Sequence, residues 1–219
     1  MGDTDRKTGL WIEELTTPYY SFVDAGASVE IASIRGGTVP VEPNSQKGVG
    51  ENTESVERYL KDPVAQRKIA SSLGLDQVNW RDFDAVFMPG GHGTMWDLPT
   101  SAPLARLLGE AFADGRVVAA VCHGPAGLVD VTLPNGGPLV AGKRVTGFTN
   151  TEEDAVGLTS VVPFLLETRL RELGARFEGV ADFQPYTVTD GNLVTGQNPA
   201  SSHGVAQAVL ERLNRHRSA

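Results

Sequence analysis

The spacing of apolar residues changes several times along the chain. Leu10, Ile12, Leu15, Tyr19 and Phe22 recur at mostly three- and four-residue intervals. They predict a helix from Thr8 to about Ala25, kinked or divided at Pro18. Ala27 to Ile34 alternates like a strand. Gly36 to Thr53 is rich in Gly, Pro and polar residues and reads as a long surface loop. Glu54 to Leu73 is helical again, with a break near Asp62-Pro63, and Ala85 to Met88 is a short apolar strand running into Pro89-Gly90-Gly91-His92-Gly93. Leu104, Leu107, Leu108 and Phe112 fall on one face of a helix from Ala102 to Ala113. Two strands follow, one ending at Val121 and one from Val145 to Phe148, and then a helix from Val156 to Leu173 interrupted at Pro163. Tyr186–Thr189 and Leu193–Thr195 flank Asp190-Gly191-Asn192, a hairpin signal. Asn198-Pro199-Ala200-Ser201-Ser202 opens a last helix to about Leu213, and Arg215 to Ala219 are expected to fray.

Strands alternating with helices predict an α/β domain whose mostly parallel sheet is covered on both faces. The 219 residues suit one such domain, 1–219, and no internal repeat divides them. An apolar fraction of 40% is ordinary for a globular chain, and a net charge of −8 argues against general nucleic-acid binding. Met1 to Lys7 lacks the apolar core of a signal peptide, and no run is long enough for a membrane span. The single cysteine excludes an internal disulfide and suits a reducing compartment, the cytoplasm. His92, His123, His203 and His216 show no metal-ligand spacing, so no metal site is expected unless distant residues assemble one.

That one cysteine stands where an apolar strand stops. Val117-Val118-Ala119-Ala120-Val121 runs into Cys122-His123-Gly124-Pro125, the pattern of a buried strand ending in a sharp turn that opens a helix. A thiol at such a turn lies near backbone N–H groups that bind an oxyanion, and a helix N-terminus lowers its pKa. A lone cysteine is more often a small buried hydrophobe, but the adjacent His and Gly favour a nucleophile. The loop Gly90-Gly91-His92-Gly93 lets backbone N–H groups approach a ligand, although a plain Gly-rich turn reads equally well. It lacks the Lys and Ser or Thr of a phosphate loop. Acids after a strand, Glu152 and Glu153, suit either the orientation of a His or the N-terminus of a helix. Glu13 and Glu14 are adjacent, so one points nearer the core than the other, and spacing alone leaves open which.

Ala-Val-Cys-His-Gly-Pro-Ala, preceded by Pro-Gly-Gly-His-Gly-Thr-Met-Trp-Asp and followed by Gly-Lys-Arg-Val-Thr-Gly-Phe-Thr-Asn, resembles the ThiJ/PfpI superfamily, also called class I glutamine amidotransferase-like. Lys7-Thr8-Gly9-Leu10-Trp11 and Val194 to Ser202 narrow the resemblance to its chaperone and glyoxalase III subgroup, and the likeness runs from about Gly2 to Leu210. The resemblance implies a flavodoxin-like three-layer α/β sandwich. It implies Cys122 as nucleophile, His123 as its triad partner and Glu153 as the triad acid, with Glu152 the near alternative. Glu14 falls beside the thiol, where it is expected to hold a proton when the cysteine is a thiolate. Gly91 and the N–H of His123 match an oxyanion site, and Gly90 and His92 line it. Family members also carry a strand and loop ahead of the Gly2-Asp3-Thr4 stretch. That strand is expected inside the sheet, so the first strand is missing from this chain, and the native start is expected upstream of Met1.

The activity implied is glutathione-independent glyoxalase chemistry: methylglyoxal and water become lactate through a hemithioacetal on Cys122, without a cofactor. Deglycation of protein or nucleotide adducts and peptidase or amidase chemistry are rivals on the same thiol. A stress holdase chaperone is a rival of another class. A homodimer is an expected assembly, because family members are often dimers. No two-His, one-carboxylate metal cluster is evident in the sequence.

Overall fold

The computed structural model describes residues 1–217. The first helix, α1, spans Ile12–Asp24 and runs unbroken through Pro18. Proline removes one N–H there, which frees the carbonyl of Glu14 one turn earlier. The strand expected over Ala27–Ile34 is reduced to β1, Ala32–Ser33. The segment ahead of it is held by isolated bonds instead of a ladder, Leu73 N–H to the carbonyl of Ile31 and Lys68 Nζ to that of Val29. Part of the long loop forms β2, Arg35–Gly37. The break at Asp62-Pro63 is present: α2 (Glu54–Tyr59) and α3 (Pro63–Ala70) meet there, with Asp62 accepting the N–H groups of Val64 and Ala65. The end of the expected helix is instead β3, Ser72–Gly74.

The centre of the molecule is built as the apolar pattern predicts. Strand β4 is Ala85–Met88, α4 is the short Thr94–Asp97, α5 is Ala102–Ala113 and β5 is Val117–Val121. The strand expected at Val145–Phe148 pairs only at its start, as β6 (Arg144–Val145). Its continuation is held by two other bonds, Thr146 N–H to Thr195 Oγ1 and Phe148 N–H to the carbonyl of Cys122. The helix expected from Val156 is displaced. Helix α6 occupies Asn150–Ala155, capped by Thr149, and Gly157 at φ +71° ends it. Helix α7 follows at Leu166–Glu172, beyond Pro163. After β7 (Arg176–Phe177), the hairpin forms as β8 (Thr187–Asp190) and β9 (Leu193–Gly196), with Asp190 opposite Leu193. Helix α8, Ser202–Arg217, includes Arg215, which was expected to fray; Ser218 and Ala219 lie outside the described residues.

The main sheet has the order β4-β5-β9-β8, parallel except for the hairpin. Alternate residues of β5 enter two cores. Val118 and Ala120 pack with Leu104 and Leu108 of α5, whereas Val117, Ala119 and Val121 pack with Val205 and Val209 of α8. Helices thus cover both faces, as in a three-layer sandwich. Strands β1-β3-β2 form a separate sheet, and no described strand joins it to β4. All five residues of β5 are fully buried, which fixes its carboxyl end, and the residue that follows, in a rigid setting.

Candidate active site

Cys122 follows β5 with φ +60°, a left-handed conformation that a residue with a side chain adopts only under constraint. The constraint is visible in its own backbone. Cys122 N–H donates to the carbonyl of Gly196, and its carbonyl accepts from Phe148. The turn that follows is a five-residue 3₁₀ helix, Gly124–Leu128, rather than an α-helix. Gly124 is required there, because a Cβ would collide with the carbonyl of Met88. The cysteine is 3% exposed.

His123, also buried, places Nδ1 3.3 Å from Cys122 Sγ and Nε2 2.7 Å from Glu153 Oε2. The other carboxylate oxygen of Glu153 is 2.7 Å from Nε2 of His92. The two imidazole rings lie 4.1 Å apart, and Phe148 packs 4.4 Å from that of His123. Burial disfavours charge on Glu153, yet the hydrogen bonds from His123 and His92 outweigh it and hold the carboxyl at about 2. Burial lowers His123 to about 4, so the ring is neutral at pH 7. An ionised carboxylate only accepts, so each His donates its Nε2–H to Glu153. His123 Nδ1 is left as a lone pair facing the thiol.

Glu14, fully buried on α1, is the member of the Glu13-Glu14 pair that points inward, while Glu13 is half-buried. Its Oε2 accepts the N–H of Gly90 at 2.7 Å, and its Oε1 has no hydrogen-bond partner. Burial pushes its carboxyl up to about 8, against the interactions with Cys122 and the Gly90 N–H. The acid therefore keeps its proton near neutrality. The thiol is not lowered, as the sequence led us to expect, but raised: burial and the neighbouring Glu14 outweigh the N–H groups of Gly91 and His123, which pull it down.

The loop after β4 divides its duties. Gly91, at φ +105°, turns its N–H to the sulfur together with that of His123. The N–H of Gly90 is spent on Glu14 instead. Gly90 must also lack a side chain, since a Cβ would lie 2.6 Å from the N–H nitrogen of His123.

Sequence reasoning missed two features. The expectation of no two-His, one-carboxylate cluster is corrected: His92, His123 and Glu153 bring one ligand atom each within 4.8 Å of one another. His92 and His123 meet because β4 and β5 end side by side, and α6 brings Glu153, 61 positions from His92, against both. Each ring nitrogen turned to Glu153 carries a proton, so a metal would have to displace both hydrogen bonds. The second feature is Glu152, also fully buried. It accepts from Thr149 N–H, Thr149 Oγ1, Phe183 N–H, Gln197 Nε2 and Asn198 Nδ2. The capping pattern of Thr149 with Glu152 was readable as a signal, but the bonds to 183, 197 and 198 were not.

A model of the DJ-1/PfpI family matches residues 10–212. The chain is similar to the glutathione-independent glyoxalase HSP31 of Saccharomyces cerevisiae, with 34% identity over 215 residues covering 94% of this chain and 90% of that protein. It is similar in structure to the Rapid Encystment Protein 24 KDa of Francisella tularensis, with a TM-score of 0.92 and 41% identity over 97% of this chain and 93% of the other. Glyoxalase III from Candida albicans gives a TM-score of 0.87 and 30% identity over 97% and 91%.

Proposed function

The chain belongs to the DJ-1/PfpI family, and we propose that it is a glutathione-independent glyoxalase that converts methylglyoxal and water to lactate on Cys122. The observation that carries this reading is the unbroken series Cys122 Sγ, His123 Nδ1, His123 Nε2 and Glu153, with a protonated Glu14 on the far side of the thiol.

The thiol proton passes to the Nδ1 lone pair of His123, and the sulfur attacks the aldehyde carbon. The carbonyl π electrons move to oxygen, which the N–H groups of Gly91 and His123 face and which takes a proton from Glu14 or from protonated His123 to complete the hemithioacetal. Whichever group gave that proton, Glu14 through its unpartnered Oε1 or His123 through Nδ1, is then the base that removes the C1 proton to give an enediol. Return of a proton to C2, as the C1 hydroxyl gives up its own, leaves a lactoyl thioester. Water cleaves the C–S bond, giving lactate and the free thiol. No external oxidant is needed, because C1 is oxidised as C2 is reduced. Glu153 holds His123 in the productive tautomer, and His92 braces Glu153 from its other oxygen.

The burial of Cys122 favours a small dicarbonyl over glycated proteins or peptides, which would need the site to open. A nucleophilic free thiol suits a reducing compartment such as the cytoplasm; among the described residues no helix is long and apolar enough to cross a membrane. The test is lactate formation from methylglyoxal without glutathione, wild type beside Cys122→Ala. Activity that falls by at least about 10³-fold in a folded variant supports the reading. Activity that persists in Cys122→Ala, or is absent from the wild type, overturns it.

A further inference from the structure

Among the described residues, two with side chains hold a left-handed backbone, Cys122 and Phe183, each at φ +60°. At Cys122 that geometry presents the thiol. At Phe183 it carries a phenyl ring that is 46% exposed. A Gly or Asn would take the same turn with less strain and with no large apolar side chain in solvent.

The conformation of Phe183 is imposed by the acid next to the triad acid. Phe183 N–H donates to Glu152 Oε1 at 2.8 Å, and Thr151 Oγ1 donates to Asp182 at 2.6 Å. Asn198 Nδ2 donates to Glu152 Oε1 and to the carbonyl of Gln184, each at 2.8 Å. Residues 182–184 are thereby tied to Glu152, whose neighbour in α6, Glu153, is tied to His123. Adjacent residues of one helix set the phenyl ring and the triad in register.

The ring contacts place Phe183 relative to the thiol. Phe183 packs 6.3 Å from Phe148, and Phe148 packs 4.4 Å from His123 and 5.9 Å from His92. Glu14, Cys122, His123 and Glu153 are buried, whereas His92 keeps 14% of its side chain in solvent. The way in to the thiol therefore passes His92. Phe148 walls both imidazoles, and Phe183 continues that wall outward.

We infer that Phe183 is a specificity-determining residue, which holds the substituent R of a 2-oxoaldehyde R–CO–CHO while the aldehyde reaches Cys122, and that the site takes substrates in which R is an aryl group or an apolar chain. The inference rests on the glyoxalase reading for its reaction. A methyl group ends inside the buried part of the site. A phenyl group projects along the wall and displaces water from an apolar face that the fold leaves wet. The balance is that of methylglyoxal: phenylglyoxal and water give mandelate, with C1 oxidised as C2 is reduced.

The test compares phenylglyoxal with methylglyoxal as substrates, and iodoacetanilide with iodoacetamide as alkylating probes of Cys122, the single cysteine. The alkylation arm needs no turnover. Phe183→Gly removes the ring and takes φ +60° without strain, so the turn is kept. It should lower the phenylglyoxal-to-methylglyoxal ratio of kcat/KM about tenfold, through KM for phenylglyoxal, and lower the anilide-to-amide ratio of alkylation rates by a similar factor. Phe183→Tyr keeps the aromatic face and should hold both ratios within about threefold of wild type. The inference is overturned if Phe183→Gly leaves the alkylation ratio unchanged, if turnover is present and its ratio does not fall, or if Phe183→Tyr loses as much as Phe183→Gly. If neither oxoaldehyde is turned over, the glyoxalase reading falls, and the alkylation ratio alone then decides whether Phe183 holds the substituent.

Discussion

Strands β4 and β5 are hydrogen-bonded neighbours, both wholly apolar, yet they end in opposite situations. Strand β5 is buried along its whole length and delivers Cys122 into a setting where almost every polar group has a partner. Strand β4 has one edge paired and one edge open, with a cavity on each face. The difference teaches that an apolar strand sequence states a capacity for burial, and that the neighbours decide how much of it is used. The two strands meet functionally in one loop: Pro89 lines both cavities, and the next residue, Gly90, holds Glu14 by its N–H.

The sharpest way to break the comparison is at the closed end. Glu153→Gln leaves shape intact but removes the anion that fixes both imidazoles. We expect kcat to fall by about 10³–10⁴-fold with KM little changed, read from initial rates of lactate formation. Glu152→Gln, one residue away, should do the reverse. It puts an amide among five donors, so a stability loss of about 3 kcal/mol is expected in urea titrations, with kcat within about tenfold. If Glu152→Gln were the variant that lost activity, the roles of the two acids would be exchanged.

Acid sharpens the same contrast. His123 has a folded pKa of about 4 against 6.5 unfolded, so between those values the unfolded chain binds the extra proton. Its contribution, about 3 kcal/mol, is complete above pH 6.5 and lost as pH falls through 4. Glu153, held at about 2, adds a loss at still lower pH. Tm should therefore decline from pH 6.5 to 4, and a flat profile would contradict the buried neutral imidazole. The smallest effect compares the strands directly. Val118→Ala in β5 should cost about 2 kcal/mol and Val86→Ala in β4 less than about 1 kcal/mol, since the cavity beside Val86 already lacks packing partners. Equal costs in thermal melts would mean that the open edge is filled in solution.

Much of this was legible because it is local. The elbow was readable because the apolar run, Cys122, His123 and Gly124 are contiguous, and the hairpin because Gly191 sits between two alternating runs. Asp62-Pro63 announced its helix break for the same reason. Glu14 and Glu153 were legible only through family resemblance, since spacing cannot tell Glu14 from Glu13 or Glu153 from Glu152. Elements whose existence depends on a distant partner were misread. Ala27–Ile34 alternates like a strand but pairs only at Ala32–Ser33, and the helix expected from Val156 starts instead where Thr149 caps it.

The sequence by itself determined an α/β domain and a thiol at the end of a buried strand, beside a His and near acids, because periodicity, turn chemistry and capping act within a few residues. Tertiary structure alone decided that His92 and His123 share Glu153 and that Glu152 ties down Phe183 and the Gln197-Asn198 segment instead. It also decided that Gly90 serves Glu14 and that burial raises the thiol pKa. Each of these depends on solvent exclusion and on hydrogen-bond directions set by elements brought together from far apart in the chain, which no local pattern encodes.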